Sequence, residues 1–358
     1  MKQSMLARLL SHDLPRNRWL TLLLILIVAG LALTPFLIPG SKALNVAAKI
    51  LVFIVLVASY DLLLGYTGIV SFAHTMFFGI GAYGVAIACA RLGPWWSSIA
   101  IGILAALALS LVLSLVIGLF SLRVRAIFYA MITLAVASAF QTLASQLSEL
   151  TGGEDGLNFK LPELLSPAFQ LLEEPILNAS IDGRFITYYL VFFSSAILFL
   201  AMLRIVNSPF GRVLQAIREN DFRAEAIGYR TVVFRTLSNV LAALFATLAG
   251  ALLAIWLRYN GPDASLSFEI MIDILLIVVI GGMGTMYGAV IGTTIFTLAQ
   301  SYLQDLMALG ASATSHLGWL SALLSPDRWL LWLGVLFVLS VYFFPTGVVG
   351  KLRSRRSA

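Results

Sequence analysis

Three ionisable side chains, Asp61, His74 and Asp273, interrupt stretches that are otherwise apolar, and Ser71, Thr75 and Tyr83 add hydroxyls nearby. In hydrocarbon an ionisable group costs at least about 2.5 kcal/mol unless it faces protein or water, so such residues mark a polar route, a proton relay or a buried structural contact. His74 has no second histidine in its stretch and only the lone Cys89, which leaves a metal site short of ligands. A hydrogen-bonded structural histidine is the plainer reading. No Ser-His-Asp, double-Asp or HExxH arrangement stands out, which argues against an intramembrane enzyme. Cys89 is the only cysteine, so an intrachain disulfide is excluded and packing is its expected role. Neither a metal nor a cofactor is expected.

Glycines surround these polar positions. Asp61 to Gly84 contains Gly65, Gly68, Gly79, Gly81 and Gly84, and Asp273 to Gly292 contains Gly281, Gly282 and Gly284, with Gly284, Gly288 and Gly292 spaced by four. Two readings stand. Glycine-interrupted segments at membrane depth expose backbone to a transport path, whereas a small residue at every fourth position lets two helices approach closely. Each segment follows an Asp, a faint sign of an internal repeat.

The densest charge lies elsewhere. Asn207 to Arg235 carries Arg212, Arg218, Arg223, Arg230 and Arg235 between two apolar spans. Pro209 and Gly211 break the preceding helix, Val213, Leu214 and Ile217 form one apolar face, and Arg212, Arg218 and Glu219 form a charged one. Membrane spans are usually joined by short polar turns, so this length of amphipathic connection suggests a docking surface whose apolar side enters a partner's groove. The bland alternative is a surface helix held by anionic lipid.

These residues need a scaffold, and the composition supplies its class. Hydrophobic residues make up 60% of the chain and charged residues 11%, with a mean hydropathy of +0.96. That excludes an ordinary soluble domain, in which about a quarter of residues are charged. Apolar stretches of membrane-spanning length run Trp19 to Gly40, Leu62 to Ala90, Leu92 to Leu122, Ala126 to Ser148, Phe185 to Leu203, Thr236 to Leu257, Ile274 to Gln304 and Trp329 to Gly350. Two are long enough to split at a glycine turn, and Ala43 to Leu64 adds another helix. The expectation is an all-α polytopic transmembrane bundle of about ten spans with discontinuous helices. The first span is expected to be retained, since no small-residue cleavage site closes it.

Lys and Arg resist translocation, and their distribution places both termini in the cytoplasm. The resulting organisation is a cytoplasmic segment 1–18, a membrane domain 19–350 and a basic tail 351–358. Within the membrane domain, 149–184 is an outer loop and 206–235 a cytoplasmic one. The outer loop is acidic, with Glu149, Glu154, Asp155, Glu163, Glu173, Glu174 and Asp182. The net charge of +6 is spread over membrane-proximal loops, which suits anionic lipid and excludes a groove-reading nucleic-acid fold.

Five segments in order, LLLGYTGIVSFAHTMFFGIGAY, IFYAMITLA, TGGEDGL, SPFGRVLQAIREND with AEAIGY, and GGMGTMYGAVIG, resemble the permease subunits of branched-chain amino acid ABC importers, specifically the longer type that carries the TGG loop. The resemblance covers roughly Lys49 to Val348. The N-terminus and Leu161 to Gly183 match poorly. It implies that two permease subunits, here a heterodimer, form the path, that two ATPase subunits bind beneath, and that a periplasmic binding protein delivers the substrate.

On that reading AEAIG, Ala224 to Gly228, matches the loop that contacts the ATPase, giving Arg212, Arg218, Glu219, Ala224, Glu225 and Gly228 as coupling residues. Glu154 and Asp155 are candidate contacts for the binding protein, although Gly152, Gly153 and Gly156 equally suit a plain tight turn. Asp61, Ser71, His74, Thr75, Tyr83 and Asp273 are candidate path residues. ATP would be bound by the partner, because no phosphate-binding GxxxxGK[ST] loop occurs and GVVGKL has neither its spacing nor its Ser/Thr. A urea or short-chain amide permease is the nearest alternative, and an ion-coupled secondary transporter is the alternative of another class.

Overall fold

In hydrocarbon every backbone polar group must be satisfied within its own segment, so the apolar stretches fold as helices. The computed structural model describes residues 17–37, 40–121, 126–170, 181–313, 323–344 and 346–354. Lys2, Arg8, Arg16, Arg123, Arg125, Glu173, Glu174, Arg355 and Arg356 lie outside them. The helices are α1 (Arg18–Leu37), α2 (Ser41–Thr67), α3 (His74–Leu92), α4 (Trp96–Ser121), α5 (Ala126–Gln146), α6 (Gly183–Val206), α7 (Pro209–Glu219), α8 (Asp221–Ala226), α9 (Thr231–Leu257), α10 (Phe268–Gly281), α11 (Met286–Ala313), α12 (Trp329–Phe343) and α13 (Gly347–Ser354). One-turn helices and 3-10 turns join them.

Among the described residues, nine helices are long and apolar enough to cross a membrane. The bundle is the expected all-α polytopic one. Its axis is α2, buried along most of its length and flanked by α9, α6 and α11. The outward faces of α1, α4, α5 and α12 carry exposed Leu, Ile, Val and Phe, as a lipid-facing shell requires.

Two observed boundaries differ from the sequence reading. The stretch expected from Leu62 to Ala90 divides at 68–73, so that α2 takes in the helix expected from Ala43 to Leu64 and runs on to Thr67. Gly68 ends α2 in the left-handed region, at φ 74. α9 begins at Thr231, ahead of the apolar stretch expected from Thr236.

Close approach explains most glycines inside helices. A Cβ on Gly81 would strike Thr247 O and one on Gly250 would strike Phe78 O, where α3 crosses α9. The four-spaced ladder shows the packing reading in geometry: a Cβ on Gly288 would lie 2.8 Å from Gly281 O, and one on Gly292 would lie 3.1 Å from Gly281 Cα, so α10 and α11 meet backbone to backbone. Gly284, at φ 77, belongs to the turn between them instead.

Two short strands mark the opposite end of α9 from α7 and α8. β1 (Leu157–Asn158) pairs antiparallel with β2 (Tyr259–Asn260), in register Leu157 to Asn260 and Asn158 to Tyr259. The 27 residues of α9 therefore separate the basic island from the TGG loop, a distance of about 40 Å at 1.5 Å per residue.

Candidate functional site

The basic island folds as two short helices separated by Asn220, whose backbone is extended. Pro209 occupies the first turn of α7, where its missing N–H costs nothing. Asn220 Oδ1 accepts from Arg223 N at 3.0 Å and so caps α8. Arg235 and Asp221 form an ion pair at 3.1 Å, and Thr231 Oγ1 donates to Glu225 Oε1 at 2.7 Å. Gly228, at φ 96 with nothing near a hypothetical Cβ, ends the elbow through backbone conformation alone.

The apolar face of α7 is spent on the chain itself. Gly211, Leu214 and Ile217 are buried, and α7 packs on α2, α6 and α9. The expectation that this face enters a partner's groove is therefore corrected: its hydrophobic surface is already covered. The free surface is the other side, with Arg212, Glu219 and Glu225 exposed and two bare apolar side chains, Phe222 at 85% and Ile227 at 71% exposure. Ala224 is buried beneath them.

Arg218 is exposed as well, but its guanidinium reaches back to the bundle. Its Nη1 donates to Gly65 O at the end of α2. A Cβ on Gly284 would lie 2.8 Å from that same Nη1 and 2.9 Å from Gly65 O, so α2, the elbow and the α10–α11 turn meet at one point. Asp61 completes the junction. Its Oδ1 accepts from Gly284 N at 2.8 Å. Asp61 thus supplies the cap that the orphan N–H groups before α11 need, from a helix more than two hundred residues away.

Of the other candidate path residues, His74 opens α3 deep in the bundle. Its Nε2 lies 2.8 Å from Ser59 Oγ. Ser59 gives its own proton to Leu56 O at 2.7 Å, so the imidazole N–H is the donor in that pair. The Tyr60 ring stands edge-on to the imidazole, 5.2 Å between centroids. Ser71 and Thr75 are buried beside this break. Phe72 N, freed by the interruption, donates to Thr133 Oγ1 of α5 at 3.0 Å. Tyr83 lies one helical stretch further along α3, packed with Ala144 and Leu266. Asp273, in α10, accepts from Gln300 Nε2 at 3.2 Å. The six residues occupy four places and do not form one lining.

At the far end of α9, Glu154 and Asp155 stand exposed on a 3-10 turn. Gly152, Gly153 and Gly156 have φ of 79, 67 and 70. Tyr259 Oη donates to Asp155 O at 3.2 Å, and Arg258 Nη2 donates to Leu165 O at 2.9 Å. Burial lowers the pKa of Arg258, Arg184 nearby adds to this, and Asp182 opposes it.

Residue types alone did not point to Lys49, Gln300, Tyr129 or Asn239. Tyr129 Oη donates to Asn239 Oδ1 at 3.3 Å and Asn239 Nδ2 donates to Ser114 O at 2.9 Å, a polar tie among α5, α9 and α4. A lysine inside an apolar run was the available signal for Lys49.

Comparison with known proteins covers most of the chain. The family described as branched-chain amino acid transport system / permease component matches residues 42–341. The high-affinity branched-chain amino acid transport system permease protein LivM of Escherichia coli is 25% identical over 308 residues, 80% of this chain and 68% of that protein. A probable branched-chain amino acid transport permease protein LivM of Methanocaldococcus jannaschii is 25% identical, with 79% and 80% covered. The BraD permease protein of Pseudomonas aeruginosa is 24% identical, with 82% and 89% covered. No solved structure matches the chain.

Proposed function

The chain belongs to the branched-chain amino acid transport permease family, and on that premise we propose that it is the membrane-spanning subunit of a binding-protein-dependent ABC importer for branched-chain or other hydrophobic amino acids. It is a multi-pass inner-membrane transport protein, not an enzyme. ATP is bound and hydrolysed by separate ATPase subunits, and a second permease subunit, in a heterodimer, completes the path.

The observation that carries this reading is the exposed apolar tip of the elbow. Phe222 on α8 and Ile227 just after it stand bare, while the opposite side of the elbow is sealed against the bundle. A caged, charged elbow with two uncovered hydrophobic side chains suits a protein groove better than an idle surface, because ion pairs fix register and the apolar tips supply attraction. Arg218 carries movement inward, since its guanidinium touches α2 and the turn before α11 together. The elbow faces the cytoplasm, as the basic loops require, and both termini lie on that side. Glu154 and Asp155, at the other end of α9, meet the periplasmic binding protein.

The test is co-purification and uptake. Replacing Gly228 or reversing the charges with Arg218→Glu and Glu219→Arg should weaken ATPase binding and abolish ATP-driven leucine uptake. Unchanged co-purification with unchanged uptake would refute the coupling role. Vanadate-resistant, protonophore-sensitive uptake by the chain alone would favour the ion-coupled alternative, and binding of urea by the partner receptor would favour the amide alternative. Charge reversal with Glu154→Lys and Asp155→Lys should reduce binding-protein-dependent uptake; intact uptake would remove that contact.

A further inference from the structure

Polar contacts tie α2 to α11 and the turn before it at three levels, and the partners descend in step, as antiparallel helices demand. Lys42 pairs with Asp305 at the outer end, Lys49 Nζ donates to Gln300 Oε1 at 2.9 Å in the middle, and Asp61 accepts from Gly284 N at the elbow. The middle level extends to a third helix, because Gln300 Nε2 donates to Asp273 Oδ2 on α10 at 3.2 Å. Lys49 lies eight residues inside α2, about 12 Å along its axis.

This middle cluster differs from a structural ion pair in two ways. Opposite charges at membrane depth normally neutralise each other by direct contact, yet among the described residues Lys49 and Asp273 form no ion pair. The amide of Gln300 stands between them, its carbonyl toward the ammonium and its NH2 toward the carboxylate. Each charge therefore keeps hydrogen-bonding capacity: two N–H donors on Lys49 and the second oxygen of Asp273. Neither side chain is sealed, for Lys49, Gln300 and Asp273 are all partly exposed. Lipid cannot be what covers a lysine and an aspartate together at this depth. Water, a polar solute or a polar face of the second permease subunit must, and the first two are what a path supplies.

We propose that Lys49, Gln300 and Asp273 form a polar station on the translocation path that takes the zwitterionic backbone of a free α-amino acid. The substrate carboxylate meets the Lys49 ammonium, its ammonium meets the open oxygen of Asp273, and its apolar side chain rests on the surrounding hydrophobic wall, where Phe53 already lies beneath Lys49 with the ammonium 5.3 Å from the ring centroid. Gln300 is the positioning residue: it holds the two charges apart so that neither satisfies the other. The ligand is recognised by its backbone charges and not by its side chain, a weak contact that permits release. The station rests on the permease reading given above.

The test uses the complete transporter, co-expressed with its partner subunits, reconstituted in proteoliposomes and supplied with binding protein and radiolabelled L-leucine. Lys49→Met and Asp273→Asn should each lower the initial uptake rate about tenfold, the value of one lost charge-assisted hydrogen bond, while binding-protein-stimulated ATP hydrolysis persists. Gln300→Leu should lower uptake less. Because Cys89 is buried, Gln300→Cys should be modified by a charged, water-borne methanethiosulfonate reagent. Unimpaired uptake in the Lys49→Met, Asp273→Asn double variant would overturn the station. So would absence of labelling at Gln300→Cys, which also decides the matter if the other variants fail to assemble. Absence of ATP-driven uptake by the unaltered complex would instead strike the permease reading, and the labelling would still report on water at the station.

Discussion

The two ends of α9 are fastened in different ways. At the elbow end, three elements meet through single side-chain contacts: Arg218 on Gly65 O, Asp61 on Gly284 N, and Thr231 on Glu225. At the strand end the backbone itself is paired, β1 to β2, and Gly156 fits so tightly that a Cβ would meet Asn260 O and Gly261 Cα. A backbone ladder has one register and resists small shifts. Contacts made by one guanidinium and one carboxylate on a glycine turn can be exchanged with little loss of packing. The elbow end is therefore suited to transmit movement and the strand end to hold a fixed face.

The largest expected effects lie at the tightest glycines. Gly284→Val and Gly156→Val each combine a left-handed backbone with an overfilled space, and should lower stability by about 2–5 kcal/mol, read as thermal unfolding in detergent. The two should then part company: residual Gly284→Val transporter should hydrolyse ATP without uptake, whereas Gly156→Val transporter should keep uptake in proportion to folded protein. Equal loss of coupling in both would erase the distinction between the ends. Next in size is Arg218→Met, which removes a charge-assisted hydrogen bond of about 1.5–3 kcal/mol. It should lower the leucine taken up per ATP hydrolysed while leaving α7 in place, since Leu214 and Ile217 still anchor the helix.

Gly228→Ala tests backbone strain alone, because no atom lies near the added methyl. It should cost about 1–2 kcal/mol locally, visible as faster hydrogen exchange over 220–230. Smallest is Tyr259→Phe, which loses one partly solvated hydrogen bond to Asp155 O. A change within about 1 kcal/mol in unfolding and no change in uptake is expected.

Much of this was legible in the sequence, for physical reasons that differ by residue. The apolar stretches gave the bundle because length and hydropathy are local properties. Pro209 and the three glycines of the TGG loop announced their turns because backbone conformation is local as well. The apolar face of α7 was legible as a face, but its destination was not, since periodicity does not say which surface covers it. Asp61 carried the signal of an intramembrane charge, yet its partner is the amide of Gly284, which no composition rule names. Lys49 and Gln300 were harder still. Their meaning depends on α2, α10 and α11 coming together, a property of topology alone.

Cross-linking at Phe222 tests the claim that energy reaches this chain through the elbow. Cys89 is the only cysteine in the sequence and is buried, so Phe222→Cys offers a single reactive thiol at the exposed tip. With a short bifunctional thiol reagent in native membranes, it should join covalently to the co-expressed ATPase subunit, while a cysteine at Glu154 should not. Linkage of Glu154→Cys to the ATPase, or a Phe222→Cys thiol reached only by lipid-confined reagents and never by the ATPase, would contradict the account.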